Sequence, residues 1–384
     1  MLPGRVEIAK SLANISNILD KELVGYQCGV GAFGDDVEYI CGGYCVTVPM
    51  KKSSDNKYSK CLRIWYNDLP DMKKRSALVS KALRLSKLPY FLDYEYLEQA
   101  VKVNGNFLAG IRMDWEDEPT VTLRDFLRNG ATADQLKKLY RNFFRMCYDM
   151  KRCGFAHGDL SSGNILVKPD TSILLIDYDS MYVPGMHYNQ QIEGTEGYQH
   201  PRRKNEILKA GPNNDNFSQI IIYVQLLAFA KQPILCKQID DNALLFNGND
   251  LASSKVFRSS SPYKTLYALK DNDIIFYLDE VAKAIDQPLD EVKSLCDLTP
   301  PSAYKPEPPK PVETRYRIEP IYIEPAKPNG SERPKPSPSP MDIPGEYCAY
   351  CQYKIAEYCK THKVVDSSVK FCPNCGKERK TYRL

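Results

Sequence analysis

The sequence predicts an α+β fold in two lobes, a small β-rich lobe followed by a larger helical lobe, with a separate cysteine-rich module at the end. Runs of β-branched and aromatic residues, broken by turn residues, dominate the first 115 positions. Helical apolar periodicity dominates the positions that follow. Between residues 300 and 344, 14 of 45 residues are proline, which predicts an extended linker before the last module.

The small lobe contains at least four predicted strands and one helix. The segments EYICGGYCVTVPM and KYSKCLRIWY have strand composition around glycine or polar breaks. The next segment, DMKKRSALVSKALRLSK, places Leu78, Ala82 and Leu85 at helical spacing. The segment YFLDYEYLEQAVKVNGNFLAGIRMDW predicts two strands joined by a turn at NGN.

The large lobe opens with a long predicted helix, TADQLKKLYRNFFRMCYDMKRCG. Thr132 and Gln135 form a capping-box pattern at its start, and Gly154 suits its end. We therefore expect a domain over residues 15–298, with a small lobe at about 15–115 and a large lobe at about 116–298. A proline-rich linker (299–345) and the cysteine-rich module (346–384) follow. Within the linker, RYRIEPIYIEP alternates enough to form a short strand or docking segment, although plain linker is favoured.

Composition and charge exclude several classes of function. The net charge of +4 is too small to argue for binding to nucleic acid or to an anionic membrane. The most apolar helical stretch, QIIIYVQLLAFA, is well short of the ~20 residues that a membrane span needs. Eight of the 13 cysteines are scattered through the chain and predict reduced, packed thiols. We expect a cytoplasmic protein without a membrane segment.

Two short segments carry the predicted chemistry, HGDLSSGNILV (157–167) and LLIDYDS (174–180). They resemble the catalytic loop and the metal-binding loop of the protein-kinase superfamily, which follow H-x-D-x-x-x-x-N and D-F-G patterns. The resemblance implies that Asp159 accepts or orients the proton of the attacking hydroxyl. It also implies that Asn164 and Asp177 hold Mg²⁺ against the phosphates of ATP, while His157 supports the loop.

Two further segments narrow this resemblance. EGTEGYQHP, which contains Thr195, is similar to the end of a protein-kinase activation segment. NNDNFSQIIIYVQLL is similar to the start of the central large-lobe helix, in which Asp215 would hold the catalytic loop. Both favour a protein substrate over a small molecule. Several phrases, among them AHGDL, LIDYDSMYVPG and GYQHPRR, resemble a group of atypical bacterial protein-kinase-like proteins over about residues 35–298.

The resemblance also implies a nucleotide site, with alternatives left open. Arg63 in KCLRIW stands where the superfamily has a lysine, and Lys60 is a less favoured substitute. For the glycine-rich loop we prefer Gly42 and Gly43, although GVGAFG (29–34) also fits the literal pattern. The hinge that meets the adenine would be Met113, Asp114 and Glu116, with Met113 at the back of the pocket. Trp115 suits the pocket and the core equally well.

The chain departs from the superfamily pattern at four points. The helix after Arg63 contains no glutamate to pair with it. Ser161 and Gly158 replace a lysine and an arginine of the usual catalytic loop. Arg202 or Arg203 replaces the glutamate that normally follows the activation-segment proline. These changes predict one cation fewer near the transferred phosphoryl group and no control through a phosphorylated activation loop.

The C-terminal module has the spacing of a zinc site. Cys348 and Cys351 form one C-x₂-C pair, and Cys372 and Cys375 form a second, with 20 residues between the pairs. Four such thiolates predict a closed, structural Zn²⁺ ribbon. Cys359 and His362 lie between the pairs and are expected to be spectators. The alternative, disulfides, requires an oxidising compartment that nothing else in the sequence indicates.

The leading hypothesis is a Ser/Thr protein kinase that uses ATP and Mg²⁺ and carries a zinc ribbon. A pseudokinase scaffold that recruits partners through the ribbon is the second hypothesis, motivated by the missing cations. A small-molecule kinase is the third. The expected partner is a protein substrate or signalling partner, reached through the kinase-like site, the ribbon or the proline-rich linker. Nucleic acid is disfavoured, although the basic end of the ribbon leaves it open.

Overall fold

The computed structural model describes residues 2–31, 37–41, 44–67, 71–187, 194–204, 210–241, 243–302, 345–348, 354–357 and 381–383. The chain divides into two compact units, Met1–Ile321 and Tyr322–Leu384. Each unit is described by itself.

One antiparallel sheet forms the small lobe of the first unit. Its strands are β1 (Tyr26–Cys28), β2 (Ile40–Cys41), β3 (Cys45–Lys52), β4 (Lys60–Trp65), β5 (Tyr94–Val103) and β6 (Asn106–Asp114). The strand order is β1-β3-β4-β6-β5, and β2 pairs with β3. Asn104 and Gly105 both have positive φ between β5 and β6, which confirms the hairpin predicted at NGN. Arg63, in the middle of β4, lies opposite Thr47 on one side and Ile111 on the other.

Two helices cover this sheet. They are α1 (Arg5–Leu12) and α2 (Met72–Ser86). Ile8 and Leu12 of α1 are buried in one apolar cluster with residues of β3, β4 and β5. The compact unit therefore includes residues that the expected boundary at residue 15 left out. The helix α2 packs against β5 and contributes Leu78, Val79 and Ala82 to the main core.

The large lobe is mainly helical. Its elements are β7 (Val121–Thr122), α3 (Leu123–Arg128), α4 (Ala133–Cys153), β8 (Ile165–Val167), β9 (Ile173–Leu175), α5 (Asn216–Lys231), α6 (Ser254–Ser259), α7 (Ser261–Tyr267) and α8 (Asn272–Asp286). The Thr132–Gln135 capping box of α4 is confirmed, and Gly154 ends the helix with φ of 67°. Every residue of α5 from Asn216 to Ala230 is buried, so this helix forms the centre of the lobe. Among the described residues, no helix combines the length and apolar character of a membrane span.

The second unit contains a three-stranded antiparallel sheet. Its strands are β10 (Gly345–Cys348), β11 (Lys354–Glu357) and β12 (Thr381–Arg383), in the order β11-β10-β12. Cys348 lies in β10 and is the register partner of Thr381. The other predicted zinc ligands, Cys351, Cys372 and Cys375, lie outside the described residues, as do Cys359, His362 and the segment RYRIEPIYIEP.

Candidate active site

Asp159 lies at the centre of a polar cluster in the loop that follows α4. One carboxylate oxygen, Oδ1, accepts hydrogen bonds from the Thr195 backbone N–H (2.6 Å) and from Gln199 Nε2 (3.2 Å). The other, Oδ2, accepts from Asn164 Nδ2 (3.1 Å) and from Thr195 Oγ1 (3.2 Å). These contacts fix the orientation of the carboxylate, as positioning a hydroxyl for phosphoryl transfer requires.

Asp215 anchors the backbone of this loop through two hydrogen bonds. It is fully buried at the start of α5, and its two oxygens accept the backbone N–H groups of His157 (2.5 Å) and Gly158 (2.7 Å). Burial raises the pKa of Asp215, while the two N–H donors act in the opposite direction. The contact is the one that the sequence resemblance implied for Asp215.

His157 supports the same loop from within. The ring is fully buried, and its Nδ1 accepts the backbone N–H of Asp159 at 3.3 Å. With Nδ1 as acceptor, Nε2 carries the proton and donates to the Ile176 carbonyl at 2.9 Å. One imidazole therefore links the loop that carries Asp159 to the strand that leads to Asp177.

Gly158 explains why the usual arginine is absent before Asp159. Its φ is +80°, and a Cβ at this position would lie 2.2 Å from the carbonyl oxygen of Ser180. No residue with a side chain fits there without moving the backbone. Gly194 is similarly constrained, because its φ is +81° and a Cβ would lie 2.9 Å from Asp159 Oδ1.

The hairpin of β8 and β9 brings Asn164 and Asp177 to one pocket. Ile165 pairs with Leu175, and the Ile176 N–H donates to the Asn164 carbonyl at 3.0 Å. The next residue, Asp177, has the left-handed φ of 66°, an unusual backbone for a non-glycine residue that turns the chain at the pocket. Both side chains line the same cavity, and that of Asp177 is 48% exposed.

This pocket, between the two lobes, has a volume of about 370 Å³. Its lining comes from both lobes and consists of Ile40, Cys45, Thr47, Cys61, Arg63, Leu92, Met113, Asp114, Trp115, Glu116, Asn164, Leu166, Ile176 and Asp177. The lining includes all three residues of the expected hinge. Trp115 is half-buried, lines the pocket and contacts Tyr58 edge-to-face at 6.4 Å between ring centroids. A second cavity of about 810 Å³ lies beside α4, and no predicted site residue lines it.

Arg63 projects into this pocket with two acidic partners. Its Nη2 contacts Asp179 Oδ2 at 2.9 Å and Asp177 Oδ1 at 3.1 Å, and it also contacts Cys45 Sγ at 3.2 Å. Burial lowers the pKa of Arg63, but the charges around it, foremost Asp179, outweigh this and hold the pKa well above its ordinary value. No partner for Arg63 could be predicted, because α2 contains no glutamate. The partner instead comes from the turn after β9.

Other candidates for the nucleotide site lie in different surroundings. Lys60 pairs with Asp114 and, at 3.6 Å, with Asp93. Gly42 and Gly43 lie outside the described residues, as does Gly34 of the upstream glycine pattern. Gly29 lies against the side chains of Tyr58 and Glu38, where a Cβ would meet Tyr58 Oη at 2.1 Å.

A buried network that the sequence did not predict links Asp159 to α5. Gln199 donates to Asp159 and accepts from Ser218 Oγ at 3.1 Å and from Arg203. Arg203 is 5% exposed and also donates to the Gly158 carbonyl at 2.8 Å. Arg203 thus takes a role in organising the large lobe, at the place where the usual glutamate is missing. The phrase GYQHPRR contains Gln199 and Arg203, but the sequence alone does not show which of the two arginines, Arg202 or Arg203, turns inward.

The described residues fit a magnesium nucleotide at this pocket. Mg²⁺ prefers carboxylate and amide oxygens and usually keeps substrate phosphates and water among its ligands. Asn164 and Asp177, which line the pocket, would supply two such oxygens, and Arg63 would supply a cation for the phosphates. Within the part of the chain that the structure describes, no group of three or more His, Cys, Asp or Glu residues is arranged to hold a metal by itself.

An antiparallel β-lobe, a helical lobe and a polar pocket between them are consistent with a kinase-like fold. Residues 99–191 match the family model of the RIO domain, an atypical protein kinase family. The match covers about a quarter of the chain and contains Asp159, Asn164 and Asp177. It supports an atypical kinase-like, ATP-binding character for this domain. A search of curated proteins found no match to the chain.

Proposed function

We propose that the protein transfers the γ-phosphoryl group of ATP, with Mg²⁺, to Ser or Thr hydroxyls of a protein substrate. The observation that carries the proposal is one pocket lined by the expected hinge and by Arg63, Asn164 and Asp177, beside which Asp159 contacts Asn164. The RIO-domain match over three of these residues supports the same class of chemistry.

The proposed mechanism assigns one task to each residue. Asp159 exchanges its contact with the Thr195 hydroxyl for the substrate hydroxyl, orients that hydroxyl and takes its proton as the hydroxyl oxygen bonds to the γ-phosphorus. The bond between that phosphorus and the β–γ bridging oxygen breaks, and ADP leaves. Asn164 and Asp177 would hold Mg²⁺, which would neutralise the phosphate charge. Arg63 binds phosphate oxygens, and Met113, Asp114 and Glu116 border the adenine.

Incubation with γ-labelled ATP and Mg²⁺ tests this proposal. We expect label on the protein itself or on an added protein substrate, and we expect Asp159→Ala and Asp177→Ala each to abolish it. Omission of Mg²⁺ should do the same. Asp134→Asn, an exposed carboxylate on α4, is the matched control and should retain activity. Transfer that survived both active-site changes would refute the proposal.

A pseudokinase scaffold is the second candidate, and one contact favours it. The Arg63 guanidinium neutralises Asp177 at 3.1 Å, which is the carboxylate that a catalytic metal would need. A thermal-shift titration separates the two functions. Stabilisation by Mg·ATP without any phosphate transfer, either to proteins or in a screen of small metabolites, would favour the scaffold.

For the second unit we propose a structural Zn²⁺ site formed by Cys348, Cys351, Cys372 and Cys375, which serves to recruit a protein partner. The C-x₂-C spacing supports it. A segment of about 40 residues buries little apolar surface, so metal binding would supply its folding free energy. Native mass spectrometry should find one zinc per chain. Serine at all four positions should remove the zinc, while serine at Cys359 should not.

A further inference from the structure

We propose that Asp179 is the positioning residue for Arg63 and that, together with Arg75, it couples helix α2 to the phosphate-binding cation. The role assigned to Arg63 rests on the proposed function. The coupling of Asp179 to α2 does not.

The first observation is the burial of the Arg63–Asp179 pair. The two side chains are 10% and 11% exposed and lie 2.9 Å apart, whereas Asp177 is 48% exposed. A buried ion pair is costly to break, because the remaining charge is left without compensation. Asp179 is therefore the fixed partner of Arg63, and the exposed Asp177 can exchange its contact with Arg63 for another cation.

The second observation is the cation on α2. Arg75 is 4% exposed, and its Nη2 donates to the backbone carbonyl of Asp179 at 3.1 Å. Burial raises the pKa of the Asp179 carboxyl, and the guanidinium groups of Arg63 and Arg75 act in the opposite direction. Without an anion between them, two buried guanidinium groups on adjoining elements would repel each other.

The third observation is the rigidity of the turn that carries Asp179. The turn Tyr178–Ser180 is one 3₁₀ turn, and Tyr178 is almost fully buried. The Tyr178 hydroxyl donates to the Leu175 carbonyl (2.5 Å) and accepts the Leu92 N–H (2.9 Å). Asp179 is thus fixed to β9 and to the loop before β5, while Arg75 moves with α2.

In these contacts the anion and the cation come from the opposite elements to those of the usual kinase pattern. In the D-F-G pattern a glycine stands at the third position, and the helix supplies an anion. Here the third position is Asp179, and the helix supplies the cation Arg75. A displacement of α2 would withdraw Arg75 from Asp179 and loosen the only buried carboxylate among the two that contact Arg63.

Two variants with matched controls test this coupling. Asp179→Asn removes the anion at constant shape, and Arg75→Met removes the helix cation. The controls are Asp134→Asn, which changes an exposed carboxylate of α4, and Lys73→Met, which changes an exposed cation of α2. Hydrogen exchange of the α2 amides is measured without nucleotide, and the Kd for Mg·ATP is measured by calorimetry.

We expect Asp179→Asn and Arg75→Met each to speed exchange across α2 by about tenfold or more, because local opening no longer breaks a buried charge contact. We expect the Kd for Mg·ATP to rise by a similar factor, and both controls to match the wild type. Arg75→Lys should restore part of each loss. The double variant should cost less than the sum of the two single changes, because either change removes the charge interaction between Arg75 and the Asp179 carboxylate, whereas the bond to the Asp179 backbone carbonyl is lost only with Arg75.

Unchanged α2 exchange in both variants would overturn the coupling, and so would additive effects in the double variant. If Asp179→Asn does not fold, the series Arg75→Met and Arg75→Lys decides the question by itself. Faster α2 exchange in a protein that binds no Mg·ATP even as the wild type would retain the coupling and reject the proposed function. The two failures are therefore distinguishable.

Discussion

Replacement of Asp215 by Asn is the change whose cost follows most directly from the structure. The fully buried carboxylate accepts two backbone N–H groups, at 2.5 and 2.7 Å. Each hydrogen bond to a charged group contributes about 1.5–3 kcal/mol. Asparagine keeps one acceptor oxygen and turns an NH₂ group towards the second N–H. One bond is therefore lost, and one donor is left buried without a partner.

We expect Asp215→Asn to lower the free energy of unfolding by about 3 kcal/mol, which corresponds to a fall in Tm of roughly 6–12 °C for a domain of this size. Asp271→Asn is the matched control. Asp271 also accepts two backbone N–H groups, both at 3.1 Å, but on the one oxygen Oδ1; its other oxygen pairs with Lys231, and its side chain is 23% exposed at the start of α8. Asn is as good an N-cap as Asp, so the control should cost at most about 1 kcal/mol.

Differential scanning calorimetry of the two variants makes the comparison. Phosphate transfer by Asp215→Asn should also fall, because the loop that carries Asp159 loses an anchor. If Asp215→Asn melted with the Asp271 control, the view that burial gives Asp215 its importance would be wrong.

Three further predictions concern the loop, the pocket thiols and the C-terminal module. Gly158→Ala should lower the free energy of unfolding by roughly 2–5 kcal/mol, because it combines a positive φ with a contact of 2.2 Å to the Ser180 carbonyl. Gly185→Ala, where a Cβ would have nothing within 4 Å, should lower it by about 1–2 kcal/mol. Chemical denaturation measures both. Burial raises the pKa of Cys61 to about 12 and that of Cys45 above its ordinary value, so both thiols stay protonated at pH 8. Iodoacetamide should modify the exposed Cys41 before Cys45 and Cys61, which peptide mass spectrometry detects; faster labelling of Cys61 would contradict this. Chelation of zinc should increase hydrogen exchange in residues 346–384 and leave α4 unchanged, while equal exchange with and without chelator would argue against the zinc ribbon.

Local signals were sufficient for much of the fold. The Thr132–Gln135 box and Gly154 delimit α4 in the sequence because caps act over three or four residues. The β5–β6 hairpin follows from NGN, since Asn and Gly tolerate positive φ. The packing of α1 on the sheet was not predictable in this way, because it depends on apolar contacts with strands far along the chain.

The site shows the same division. The grouping of Asp159, Asn164 and Asp177 could be predicted from the sequence because one loop and one hairpin join them. The partner of Arg63 could not, because Asp179 lies 116 positions away and reaches β4 only through the tertiary fold. The second acidic residue of DYD was the available signal, in a position where the resemblance leads one to expect glycine. Gln199 and Arg203 were missed for the same reason, since their partners lie on a different loop and on α5.

A crystal structure with Mn²⁺ and a non-hydrolysable ATP analogue tests the central claim most directly. The anomalous signal of Mn²⁺ should lie roughly 2.0–2.2 Å from the Asn164 side-chain oxygen and from an Asp177 carboxylate oxygen. The adenine should lie beside Met113 and Glu116, with the terminal phosphate between Arg63 and Asp159. Manganese bound away from residues 164 and 177, or a nucleotide seated in the 810 Å³ cavity beside α4, would contradict the account.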